Sequence, residues 1–119
     1  MRHAIIAAAI GMLCVPAVAS AHAMLERADP MVGSTVHAAP AAISLRFGEA
    51  IEPALSSLSL ARSDGAAVPL ATPIVTERGT VLVAVVRGAM TPGLYRVQWR
   101  VVSVDTHVTQ GAFSFRIAP

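Results

Sequence analysis

Few side chains in this 119-residue chain could do chemistry. Beyond the first residues the histidines are His22, His37 and His107, and the single cysteine, Cys14, stands near the start. No G-x-S-x-G, P-loop, C-x-x-C or H-E-x-x-H occurs. The sequence therefore marks no activated nucleophile, no phosphate cradle and no closed thiolate zinc site. What remains is the triplet Asp105-Thr106-His107, together with a histidine directly after Ala21. On an extended segment Asp105 and His107 are i and i+2 and project from one face. A carboxylate and an imidazole presented together can hold a metal ion, or simply orient and charge-pair each other.

The chemistry of His22 depends on what precedes it. Sixteen of the first 21 residues are apolar. Arg2 and His3 give a short basic start, Ala4 to Val15 form an apolar run, and Pro16 breaks it ahead of small residues. This is the layout of a secretory signal. A-x-A cleavage after Ala19 would expose Ser20, and cleavage after Ala21 would expose His22; the second is the expectation here. Residues 1–21 are then a signal peptide and residues 22–119 the exported domain. Cys14 leaves with the leader, so the domain has no disulfide. A free N-terminal histidine offers its α-amine and ring Nδ1, which close a six-membered chelate on one metal. The α-amine has an ordinary pKa of about 7.7–8.0, so a strongly bound metal can displace its proton near neutrality. With Asp105 and His107 the set is three nitrogens and one oxygen. A tetragonal N,O set suits Cu(II), which also heads the divalent affinity order. Adventitious zinc stays open as an alternative.

Other candidates have plainer roles. His37 lies in a turn region and reads as a solvated loop histidine. Glu49 follows Phe47-Gly48 at a strand end and reads as a surface charge. Met24, Met31 and Met90 are widely spaced and read as core filling rather than a thioether site.

The elements that must position these residues are strands. Apart from the leader the chain is half apolar, ordinary for one domain of about 100 residues. No later apolar run is long enough for a membrane helix. Turn residues recur at short intervals, from Pro30 and Gly33 to Pro92-Gly93. Seven strands are expected: Ala23–Ala28, Ala42–Phe47, Leu58–Arg62, Pro73–Thr76, Thr80–Val86, Gly93–Ser103 and Ala112–Ile117. Tyr95, Val97, Trp99 and Val101 share one face against Leu94, Arg96, Gln98 and Arg100, and Phe113 and Phe115 oppose Ser114 and Arg116. Alternation in short strands points to an all-β, Greek-key β-sandwich with Trp99 and Tyr95 at its centre. From residue 22 onward eight scattered arginines face seven acids, which gives no footprint for a nucleic-acid partner.

Several segments resemble the CopC family of small periplasmic copper-binding, copper-resistance proteins. They are His22-Ala-Met-Leu-Glu-Arg-Ala-Asp-Pro30, Leu45-Arg-Phe-Gly-Glu49, Gly93-Leu-Tyr-Arg-Val-Gln-Trp-Arg-Val-Val-Ser103, Asp105-Thr-His107 and Gly111-Ala-Phe-Ser-Phe115. The resemblance implies an immunoglobulin-like sandwich, a periplasmic location and one Cu(II) per chain on His22, Asp105 and His107. Glu49 matches an acidic residue sometimes placed near that ion. It also implies a monomeric, non-enzymatic protein whose partner is a CopD-type inner-membrane copper transporter. Some members hold Cu(I) on a methionine-rich loop. Here the stretch from Glu49 to Pro73 has neither Met nor His, so a Cu(I) site is not expected. Two rival readings are an N-terminal-histidine copper monooxygenase and a metal-free structural or interaction module.

Overall fold

The computed structural model describes residues 24–119. The expected signal peptide and His22 lie outside the described residues. In chain order the strands are β1 (Leu25–Asp29), β2 (Thr35–Val36), β3 (Ala42–Phe47), β4 (Ser57–Arg62), β5 (Ala67–Val68), β6 (Ile74–Thr76), β7 (Val81–Val85), β8 (Gly93–Val102) and β9 (Val108–Ile117). A single 3₁₀ turn, Pro53–Leu55, precedes β4. One sheet runs β1-β3-β7-β6 and the other β2-β9-β8-β4-β5. All neighbours are antiparallel except β2, which joins β9 in parallel.

The period-2 pattern explains the two layers. In β3, Ile43, Leu45 and Phe47 are buried and Ala42, Ser44 and Arg46 turn outward. In β8, Tyr95, Val97 and Val101 enter the core while Arg96, Gln98 and Arg100 stay exposed. Phe113, Phe115 and Ile117 of β9 complete the inner face. Tyr95 stacks on Phe115 at 5.7 Å between ring centres. Trp99 is only half-buried and leans on Phe47 and Phe113. Leu45 sits wholly inside this core, and truncation to Ala there costs about 2–5 kcal/mol.

The structure corrects the expected strands in three places. Two further strands, β2 and β5, are present; each has two residues, too few to show a period. The last strand starts at Val108 rather than Ala112, because Val108–Gly111 pair in register with Trp99–Val102. Gly111 stands opposite Trp99, and a Cβ there would come within 2.4 Å of the indole. The indole fills that space, so the glycine belongs to the strand and does not end it. Met24 and Met31 are exposed, not core filling; of the three methionines singled out, Met90 packs against the core.

Candidate metal centre

β8 and β9 are joined at one end of the sandwich by a tight hairpin. Thr106 N–H donates to Ser103 O at 2.8 Å and Ser103 N–H to His107 O at 2.9 Å. Thr106 has φ +73°, the left-handed residue that a type I turn with a bulge requires. Asp105 and His107 therefore do not sit on an extended segment as expected. They flank a left-handed residue inside a turn. The juxtaposition expected from i, i+2 spacing survives for a different reason: the turn brings His107 Nδ1 to 3.1 Å from Asp105 Oδ2.

Ser103 braces the pair from beneath. It is the one buried polar side chain in the core region described, with no exposed surface. Its hydroxyl donates to Asp105 Oδ1. That hydrogen bond, followed by the contact with His107, holds the Asp105 carboxyl below its ordinary value. The pair faces outward, with about half of the His107 side chain and a third of Asp105 exposed. It is thus an ionised carboxylate beside an imidazole, both oriented by the turn.

Two more segments are tied to this hairpin. Val104 N–H donates to Ala50 O at 3.0 Å, Glu52 N–H donates to Val102 O at 2.8 Å, and Ile51 bridges to Ser103. On the other side of the same loop Gly48 N–H donates to Met24 O at 3.0 Å. The entry to β1, the loop after β3 and the hairpin Ser103–His107 form one continuous hydrogen-bonded patch. Glu49 lies in its middle. Its Oε2 is buried and has no hydrogen-bond partner among the described residues, so it is more than the surface charge expected from its position at a strand end. A buried carboxylate oxygen of this kind calls for a donor or a cation.

The structure brings Asp105 and His107 together and sets Glu49 on the adjoining loop. Among the described residues no third ligand-type side chain joins the pair closely enough to complete a metal cage. His37 is exposed just after β2, as expected of a loop histidine. Sequence reasoning missed Ser103. Its signal is weak, a small polar residue ending a strand of apolar inner positions.

A family model described as the CopC domain matches residues 25–118. This chain belongs to the CopC family. A copper resistance protein C of Xanthomonas campestris pv. juglandis is 36% identical over 105 residues, covering 83% of this chain and 82% of the relative. The crystal structure of CopC from Methylosinus trichosporium OB3b superposes with a TM-score of 0.76 at 32% identity, over 82% of this chain and 95% of that one. PcoC, a methionine-rich copper resistance protein of Escherichia coli, gives a TM-score of 0.71 at 29% identity, over 82% and 99%. The family match spans both sheets, the loop that carries Glu49 and the Asp105–His107 hairpin.

Proposed function

We propose that this CopC-family chain is exported, is cleaved after Ala21, and binds one Cu(II) in the periplasm. The ligands are the α-amine and imidazole of His22, the carboxylate of Asp105 and the imidazole of His107. The single observation that carries this reading is the Asp105–His107 pair, held at 3.1 Å on a braced turn. That turn is hydrogen-bonded through Ala50 to the loop on which Met24 is anchored. Two residues span at most about 7 Å, and that is the reach from Met24 that this reading requires of the His22 α-amine. Asp105 Oδ1 already accepts from Ser103 and Oδ2 faces His107. Each carboxylate oxygen has two lone pairs, so a copper ion fits beside both contacts.

Glu49 takes a supporting role. Its partnerless oxygen stands one loop away, suited to a cationic ligand group or to the ion itself. The donor set has no thiolate, and nitrogen with carboxylate favours Cu(II) over Cu(I). The protein acts without catalysis, as a monomer, in copper resistance or homeostasis. It sequesters the ion or passes it to a CopD-type importer in the inner membrane. The copper-resistance names of its relatives support that role.

The test is to insert one glycine before His22 in the exported protein. The α-amine then leaves the residue that carries the ring, and the chelate opens. Tight Cu(II) binding should be lost, with a changed electron paramagnetic spectrum. Unchanged affinity and spectrum would show that His22 is not the anchoring ligand.

A further inference from the structure

The outer faces of the two sheets carry different charge. On the four-stranded sheet Arg27, Asp29 and Arg46 lie in one shallow pocket with Glu77, and Arg46 pairs with Glu77. The outer face of the five-stranded sheet is unlike this. Register places Arg96, Gln98 and Arg100 of β8 beside Ser114, Ala112 and Gln110 of β9. Ser59 and Ser57 of β4 lie beside Gln98 and Arg100. Arg116 of β9 is exposed on the same face. Three arginines stand there with no carboxylate among them, and none has an ion-pair partner among the described residues.

Arg96, Gln98 and Arg100 line a groove of about 590 Å³ with Ser57 and Ser59 of β4, Gln110 to Ala112 of β9 and Trp99; Arg116 lies outside it. Its central row is short, Ser59 and Ala112 on either side of Gln98, with a guanidinium toward each end. Gln98 and Ser59 between the charges, and Ser57 and Gln110 beside Arg100, offer both donors and acceptors. Arg96 and Arg100 are four residues apart on an extended strand, about 13 Å. A second extended chain has the same repeat, so carboxylates at its positions i and i+4 match the two guanidiniums. The amides and hydroxyls between them suit a polypeptide better than a lattice of lipid headgroups.

We infer that this groove is a docking site for an extended acidic segment of a partner polypeptide, with carboxylates held by Arg96 and Arg100. The site does not depend on the copper reading. It ends at Arg100, three residues before Ser103, so a docked segment runs toward the Asp105–His107 hairpin.

The test uses the purified isotope-labelled protein without metal. The probe is a synthetic peptide alternating Glu and Thr, and the control is its Gln-for-Glu counterpart. The expected result is a set of amide and Arg side-chain shifts confined to Arg96, Gln98, Arg100 and Gln110, seen with the Glu peptide alone and weakened by salt. Affinity should fall roughly tenfold in Arg96→Gln/Arg100→Gln and stay unchanged in Arg27→Gln, which lies on the other sheet. Both changes are on exposed positions, and matching thermal midpoints verify folding. Equal shifts with the Gln peptide would overturn the inference. So would equal response of these residues to phosphatidylglycerol vesicles or to inorganic phosphate, which would assign the face to a membrane or to small anions.

Discussion

At one end of the sandwich Arg62 lies across the core, and at the other the Ser103–His107 hairpin stands open. The Arg62 guanidinium donates to Tyr95 Oη at 2.8 Å and to Thr91 Oγ1, and its carbon sits 5.2 Å from the Tyr95 ring centre. Tyr95 in turn donates to Thr91 O at 2.6 Å. Gly93, at φ +146°, leaves room for this arginine, since a Cβ would come within 2.8 Å of its Nη2. Polar groups there are satisfied internally. At the hairpin end Asp105 and His107 face outward, and Glu49 keeps a buried oxygen without a partner among the described residues. One end closes on groups of its own strands, and the other leaves a carboxylate oxygen of Glu49 without a partner among the described residues.

The largest effect should come from the closed end. Tyr95→Ala removes a fully buried ring and unseats Arg62, and should cost about 3–5 kcal/mol in denaturant unfolding. Copper affinity of the molecules that remain folded should not move. A parallel fall in affinity would mean that the two ends are coupled. Next is Gly111→Ala, which drives a methyl into Trp99 and should cost about 1–3 kcal/mol. Its near-ultraviolet circular dichroism should report the displaced indole.

Smaller effects separate support from ligation at the open end. Ser103→Ala removes a buried hydroxyl that braces Asp105 and should cost about 1–2 kcal/mol. It should also raise the Asp105 pKa toward the ordinary value, as followed by carboxyl nuclear magnetic resonance. Glu49→Met discards a buried partnerless oxygen, so metal-free stability should be unchanged within about 0.5 kcal/mol or higher. Cu(II) affinity should fall. A clear loss of stability instead would make Glu49 a structural residue and erase the contrast between the ends.

The smallest effect is with pH. Because the folded-state pKa of Asp105 is lowered, chiefly by Ser103, its contribution to stability is full above the ordinary aspartate value of about 3.9. It disappears as pH falls through the folded value. Asp105→Asn should remove that part of the acid dependence of metal-free unfolding and leave the neutral-pH behaviour of the closed end intact.

Much of this was readable before the fold. The alternation in Tyr95–Val101 and Phe113–Ile117 specified which faces are buried, since a strand's side-chain period is two and one face must avoid water. Asp105 and His107 were legible as a pair because two residues of spacing keep side chains near each other in a strand and, as it turned out, in this turn. The strand at Val108–Gly111 was not legible. Its residues Thr109, Gln110 and Gly111 lack a hydrophobic rhythm, and they pair only because Trp99–Val102 present backbone partners. Ser103 was opaque for a related reason, and Glu49 was named as a site residue only through the family resemblance. A serine becomes a brace, and a glutamate oxygen is left without a partner, only through burial by segments distant in the chain.

The sequence by itself determined the two-layer all-β class, the family resemblance and the D-x-H pair, since these rest on local spacing. Tertiary structure alone decided that the loop after β3, the entry to β1 and the β8–β9 hairpin share one patch. It also decided that one sheet's outer face is arginine without acid. Both follow from cross-strand register, in which hydrogen bonds join residues some 50 positions apart, as between Ala50 and Val104, and no local pattern encodes that distance.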